Sequence, residues 1–106
     1  MTTVKIFKRG NMHAGFSVID HTDFDVEGAD VLCAAVSSSV QLTANGVTEI
    51  AGAKADISVD EKTAEISLKT DDESEAVQAI LATFALHMEI LSGDYQENIK
   101  FCILEV

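Results

Sequence analysis

The stretch "ADISVDEKTAEISLKTDDESEAVQAILATFALHM", residues 55–88, sets the architecture because two strand patterns are followed directly by a helix pattern. "ADISVD" and "AEISLK" alternate polar and apolar residues, and the charged "EKT" between them is typical of a hairpin turn. The acidic "TDDESE" favours a helix start, since carboxylates stabilise the N-terminal end of a helix. The apolar side chains that follow recur at helical spacing, and they are Val77, Ile80, Leu81, Phe84, Met88 and Leu91.

Further strands are predicted on both sides of this unit. Near the N-terminal end, "TVKIFKR" and "AGFSVID" alternate like strands, and "GNMH" is predicted to connect them as a hairpin. After the helix, "SGDYQEN" is predicted to end it. The apolar "IKFCILEV" is then predicted to be a strand inside the sheet, where both of its faces are covered.

The segment "DVLCAAVSSSVQLTA", residues 30–44, is predicted to be the first helix. Asp30 is its expected N-cap, and Asn45 and Gly46 are expected to stop it. The resulting order is ββαββαβ, which predicts an α+β fold in a single domain over residues 1–106. In it, one mixed five-stranded sheet packs with two helices.

The charge balance is strongly acidic, with 7 basic and 18 acidic residues and a formal net charge of -11. Such a chain is expected to repel nucleic acid and anionic membranes and to favour basic partners. We find no apolar run approaching the roughly 20 residues of a membrane span, and the first residues do not resemble a signal peptide. The expected location is the cytoplasm, without direct contact to nucleic acid or membrane.

The two cysteines make a weak case for a disulfide, and no CxxC motif is present to suggest structural zinc. No metal or cofactor is expected. Cys102 has apolar neighbours and is predicted to be a core thiol. His13 is predicted to be solvated near the first hairpin turn, and His87 to be a boundary residue that flanks the apolar stripe of the second helix.

Cys33 is predicted to lie on the polar side of the first helix, opposite the side that is predicted to be buried. The side predicted to be buried contains Leu32, Ala35, Val36 and Thr43, and the opposite side contains Asp30, Cys33, Ser37 and Gln41. A cysteine that only packs would be expected beside leucine and valine. In the first turn, moreover, the helix dipole favours a thiolate.

His21 ends the second strand and is available as a base for that thiol. The loop between the two residues is long enough to bring imidazole and sulfur together. On spacing alone, however, a solvated histidine and an inert helix cysteine remain the commoner arrangement of such a pair.

The segment H-x-x-F-x-x-x-G-x-D-x-x-C-A-A-V-S, from His21 to Ser37, resembles the signature of the bacterial ribosomal-processing cysteine proteases, the Prp family. The resemblance extends to the strand order, the Gly46 loop and "Y-x-x-N-I-K" near the C-terminal end. It implies that Cys33 is the nucleophile and His21 its base. Members of that family are homodimers that remove the N-terminal extension of a large-subunit ribosomal protein, cutting after an aromatic pair.

Other positions of the motif are expected to support catalysis or bind substrate. Asp30 caps the helix, Ser37 faces the sulfur or the substrate, Phe24 shapes the substrate loop, and Gly28 matches the motif glycine.

Two residues depart from the family pattern. Asp20 and Thr22 replace the glycine and alanine that flank the family's histidine. Asp20 is expected to narrow or recharge the cleft. It is not assigned as the orienting partner of His21, because adjacent residues of a strand point to opposite faces.

Two functions follow from these features. The first is a cysteine endopeptidase acting on the N-terminal peptide of a ribosomal protein. The alternative is a non-catalytic, acidic, dimeric domain that binds ribosomal protein or assembly intermediates without cutting. The replacements at Asp20 and Thr22 motivate this alternative.

Overall fold

The computed structural model describes the backbone of residues 1–20 and 29–106, and the side chains of residues 1–20 and 31–106. Its elements, in chain order, are β1 (Thr2–Arg9), β2 (Met12–Asp20), α1 (Ala29–Asn45), a short π-helix (Gly46–Ile50), β3 (Asp56–Asp60), β4 (Glu65–Lys69), α2 (Glu75–Asp94) and β5 (Ile99–Glu105). The predicted order ββαββαβ is confirmed, with the π-helix as an addition to it.

In the part of the chain that the structure describes, five strands form one sheet in the order β3-β4-β2-β1-β5. β1 is parallel to β5, and the other neighbours are antiparallel, so the predicted mixed sheet is confirmed. β5 was expected inside the sheet, but it lies at the edge. The reason is the connection: α2 crosses the sheet face from β4, and β2 already occupies one side of β1, so β5 takes the other side.

Both described helices pack on one face of the sheet and enclose the core. The stripe predicted for α2 is confirmed, since Val77, Leu81, Phe84 and Met88 are all buried. The ring of Phe84 lies on that of Phe16 from β2, with 4.4 Å between centroids. Ser74 caps α2 by accepting the N–H of Val77. The helix continues through residues 92–94, so it ends later than predicted.

The first helical segment differs from the prediction at both ends. α1 begins at Ala29, so Asp30 lies in its first turn and is not its N-cap. At the other end, Gly46 does not stop the helix, which continues as a π-helix to Ile50. The π turn brings Val47 into the core, where it is fully buried. The left-handed glycine that follows the helical segment is Gly52, with φ +66°.

The predicted faces of α1 are confirmed except at Ala35. Val36 and Thr43 are buried and Leu32 packs against the core, whereas Ala35 is exposed. The buried stripe is centred near Val36, and Ala35 lies about 100° away around the helix axis. Cys33, Ser37 and Gln41 occupy the less buried side, as expected.

Two smaller predictions at the N-terminal hairpin are corrected. β2 already begins at Met12, so the connection is shorter than the predicted "GNMH". His13 therefore lies in a strand and is half-buried, not solvated. Its backbone N–H donates to the side-chain oxygen of Gln78, and the Gln78 amide donates to the His13 carbonyl. His87 is exposed on α2.

Cys102 was predicted to be a core thiol, but it is half-buried and pairs in register with Lys5. Lys5 alternates with the core residues Val4 and Ile6, so Cys102 faces away from the helices. The prediction failed because apolar neighbours along a strand do not reveal that the strand has one uncovered face.

α2 is also more apolar than expected. By length and composition it could cross a membrane, with a mean hydropathy of 1.4 over an 18-residue window. In the fold, its buried stripe packs against the sheet, and the excess apolarity comes from exposed residues such as Leu86 and Ile90.

Candidate active site

Cys33 lines a cavity of about 400 Å³ between α1, the end of β2 and the β3–β4 hairpin. Its side chain is half-buried, so the sulfur is held in place while remaining accessible from the cavity. Because α1 starts at Ala29, Cys33 is the fifth helical residue and begins the second turn. The dipole effect is concentrated in the first turn, so its contribution at the sulfur is smaller than predicted.

The carboxylate of Asp20 lies directly against the thiol. Cys33 Sγ donates a hydrogen bond to Asp20 Oδ2, and the two atoms are 2.6 Å apart. The other carboxylate oxygen accepts a hydrogen bond from the hydroxyl of Thr2 at 3.3 Å. The backbone N–H of Asp20 donates to the carbonyl of Ala64 at 3.1 Å. The Cys33 thiol and the Thr2 hydroxyl therefore hold the carboxylate, and the Ala64 carbonyl holds the backbone of the same residue.

This contact refines the expectation that Asp20 would narrow or recharge the cleft. The sequence signal was the replacement of the family's glycine, which indicated the position but not the partner. Asp20 reaches Cys33 because β2 ends beside α1, and that arrangement depends on how the helix docks on the sheet.

The hairpin adds three more carboxylate residues to the cavity wall, Asp60, Glu61 and Glu65. Among the described residues that line the cavity, none is basic. Sequence reasoning treated these acidic residues as ordinary turn and strand positions. Their only sequence signal was the charged run "DEKTAE" that joins β3 to β4.

Ser37 and Gln41 follow Cys33 at successive turns of α1 and line the same cavity. This agrees with the predicted shared face of the helix. Ser39, by contrast, donates its hydroxyl to the carbonyl of Ala35 on the exposed side. Of the three consecutive serines, Ser37 is the one that lines the cavity together with Cys33.

Several predicted site residues lie outside the described residues. They are His21, Thr22, Phe24, Gly28 and the side chain of Asp30. The separation of Cys33 from His21 is therefore not described, and the roles expected for these residues stay predictions. Within the described ranges, the structure contains no group of three His, Cys, Asp or Glu residues suited to a metal ion.

A larger cavity, about 750 Å³, lies at the opposite end of the sheet. Its wall includes Arg9, whose guanidinium pairs with Asp71 at 3.0 Å, and Lys69, whose ammonium lies 5.5 Å from the Phe7 ring centroid. No described cysteine, serine or histidine lines this cavity. The cavity that contains Cys33 is therefore the candidate active site, although it is the smaller of the two.

The fold is shared with several solved structures. A crystal structure of SMU.848 from Streptococcus mutans is 21% identical with a TM-score of 0.90, covering 100% of this chain and 96% of that one. The essential ribosomal processing protease Prp from S. aureus, in complex with a substrate peptide, is 22% identical with a TM-score of 0.87. The same protease with a covalently linked product peptide is 23% identical with a TM-score of 0.85. Both structures cover 98% of this chain and are themselves covered completely.

A comparison with curated proteins gives no match. The sequence does match the family model described as Cysteine protease Prp, over residues 1–100. That match spans both sides of the cavity and includes the cysteine in its wall. The chain therefore belongs to the cysteine protease Prp family and is a cysteine protease.

Proposed function

We propose that this cysteine protease removes the N-terminal extension of a large-subunit ribosomal protein, with Cys33 as nucleophile and His21 as base. The observation that carries the proposal is the position of Cys33. The motif cysteine lines a cavity on the less buried face of α1, with Ser37 one turn away. A thiol that served only for packing would lie with Val36 and Val40 in the core.

The proposed reaction follows the chemistry of nucleophilic thiols. The thiol proton passes from Cys33 to the His21 imidazole as sulfur attacks the scissile carbonyl carbon. The carbon–nitrogen bond then breaks, and the imidazolium protonates the leaving amine. Water hydrolyses the thioester, which releases the new carboxyl terminus and restores the thiol.

The charge of the cavity supports a basic polypeptide as substrate. The acidic residues Asp20, Asp60, Glu61 and Glu65 all line the cavity, and the whole chain has a net charge of -11. Ribosomal proteins are generally basic, so attraction would speed their encounter with this surface. The similar S. aureus protease, described as a ribosomal processing protease, was crystallised with a substrate peptide.

The proposal extends to assembly and location. We propose a cytoplasmic homodimer that contacts neither membrane nor nucleic acid directly. β5 is an edge strand of the sheet formed by the described residues, and it supports self-association because its Ile103 and Leu104 are 54% and 40% exposed. Light scattering of the purified protein measures the mass that tests this dimer.

A second function, binding a ribosomal protein without cutting it, is favoured by one observation. The Cys33 thiol donates its hydrogen to the Asp20 carboxylate. A sulfur held as a thiol is a poor nucleophile, since the thiolate is the reactive form. The same groove could then hold a peptide without attacking it.

Incubation with the large-subunit ribosomal protein that carries the extension separates these two functions. Mass spectrometry should find the shortened protein with the wild-type enzyme and none with Cys33→Ala. Cys102→Ala is the matched control, because it removes the other thiol, which faces away from the helices, and it should cut like wild type. Binding of the extended protein without any cleavage would contradict the protease proposal and favour the second function. Equal cleavage by wild type and Cys33→Ala would contradict the assignment of the nucleophile.

A further inference from the structure

We propose that Asp20 is a positioning residue that holds Cys33 as a protonated thiol until substrate arrives, and so lowers the reactivity of the enzyme near neutral pH. The inference rests on Cys33 being the nucleophile of the proposed function. It goes further by assigning a role to a residue that departs from the family pattern.

The geometry gives the Asp20 carboxylate little freedom to leave the sulfur. One oxygen accepts the thiol hydrogen of Cys33, and the other accepts the hydroxyl hydrogen of Thr2. Thr2 is itself buried and is the register partner of Asp20 across the β1–β2 pair. Because β1, β2 and α1 all meet at this carboxylate, the contact with sulfur is built into the fold.

The surrounding charges add to the effect of Asp20. A thiolate at Cys33 would face the carboxylate of Asp20 from β2, and the hairpin residues that line the same cavity, Asp60, Glu61 and Glu65, are also acidic. β1 contributes the neutral Thr2, and the described side chains of α1 in the wall are uncharged. Like charges disfavour ionisation of a neighbouring group. The described part of the cavity wall thus favours the thiol over the thiolate.

The consequence for catalysis is a step that precedes attack. The hydrogen bond from sulfur to Asp20 must break before the thiol proton can pass to the His21 imidazole. A substrate group that binds the Asp20 carboxylate in place of the thiol, such as a backbone N–H or a cationic side chain, would release the sulfur. Asp20 thereby couples occupation of the groove to activation of the nucleophile.

The test measures the rate at which iodoacetamide alkylates Cys33 at a series of pH values. All variants carry Cys102→Ser, so that Cys33 is the thiol whose alkylation is measured. Sulfur displaces iodide, and the thiol proton goes to solvent, so the rate follows the thiolate fraction. Asp20→Asn keeps the shape of the side chain and removes its charge. We expect it to react roughly five- to tenfold faster near neutral pH, with the profile displaced to lower pH, as loss of one adjacent like charge requires.

Asp56→Asn is the matched control, since it removes the same charge from an exposed position on β3 that lines the other cavity. Its profile should follow wild type. An unchanged profile in Asp20→Asn, or an equal displacement in Asp56→Asn, would overturn the proposal. Asp20→Gly, which restores the family's residue, should repeat the effect of Asp20→Asn and replaces it if that variant does not fold.

This test remains separate from that of the proposed function, because alkylation needs no peptide substrate. A displaced profile without cleavage of the ribosomal protein supports the role of Asp20 and contradicts the substrate. An unchanged profile with cleavage contradicts the role of Asp20 and supports the substrate.

Discussion

Ala64 has a backbone conformation that alanine rarely adopts, with φ at +55°. It lies at the end of the β3–β4 turn, where its carbonyl accepts the N–H of Asp20. The turn must reverse direction while presenting this carbonyl to β2, and the left-handed residue achieves both. The strained conformation of Ala64 therefore helps to position Asp20, the residue that contacts Cys33.

Ala64→Gly is predicted to raise the free energy of unfolding by about 1 kcal/mol, because glycine adopts a positive φ without the steric cost that alanine carries. Ala79→Gly, at an exposed position within α2, should lower it by a similar amount through the poor helix propensity of glycine. Urea denaturation measures both changes. If the two variants shift stability in the same direction, the strain attributed to Ala64 is not present.

At the scale of single residues, the sequence predicted the candidate site cysteine but not its contact. Cys33 was recognisable because its helical face also contains Ser37 and Gln41, and because the motif around it is dense. The bond to Asp20 was not recognisable, since the two residues are brought together by docking of α1 against β2. Local patterns report which face a side chain occupies but not what lies opposite it.

The π-helix shows how packing overrides a local signal at the scale of an element. Asn45 and Gly46 form a common helix stop, yet the helical segment continues for five more residues. The N–H of Ala51 donates to the carbonyl of Gly46, which closes the wider turn. The added residue per turn directs Val47 into the core, where burial of its side chain outweighs the stop signal.

Val47→Ala is predicted to lower the free energy of unfolding by about 2 to 3 kcal/mol, because the side chain is fully buried and its loss leaves a cavity. Ile50→Ala lies in the same π-helix but is 84% exposed, so it should change stability by less than about 0.5 kcal/mol. Denaturant unfolding of the pair measures the difference. Similar losses in both variants would show that the π-helix does not depend on burial of Val47.

Prediction of the elements succeeded where a pattern could be read within one segment. The α2 stripe and the β3–β4 hairpin depend on local periodicity, which the sequence displays directly. The position of β5 in the sheet depends on which strands already neighbour β1. An apolar sequence such as that of β5 is compatible with an edge strand and with a central strand, so the sequence does not distinguish the two. Cys102 was wrongly predicted to be a core thiol for a similar reason, because it lies on the face of β5 that no described helix covers.

At the scale of the whole molecule, His13 links the sheet to α2. Both of its backbone groups are hydrogen-bonded to the side chain of Gln78. Partial burial, and secondarily the positive charge of Lys8, lower the pKa of the His13 imidazole from its usual 6.5, although the Gln78 hydrogen bond opposes this. The folded protein therefore binds a proton at His13 less readily than the unfolded chain does.

The sign of the pH dependence follows from that lowered pKa. Above pH 6.5 the imidazole is neutral in both states, and the contribution of His13 to stability is fully present. As pH falls from 6.5 toward the lower pKa of the folded state, the unfolded chain takes up the proton first, so stability decreases. His13→Gln should flatten this part of the stability profile, measured by urea denaturation at a series of pH values. His87→Gln, at an exposed position, should keep the wild-type slope, and a slope retained in His13→Gln would contradict the assignment.

The parallel pairing of β1 with β5 has a consequence for the order in which the protein is made. Thr2 pairs with Ile99 and Lys8 with Glu105, so β1 meets one of its two neighbours only after α2 has been synthesised. Contacts between such distant parts of a chain form slowly, because a long loop must close first. During translation β1 can pair with β2, yet its other edge stays open to the nascent chain's surroundings. Completion of the sheet at β1 is therefore a late event in the synthesis of each molecule, although Thr2 can already support Asp20 across the β1–β2 pair.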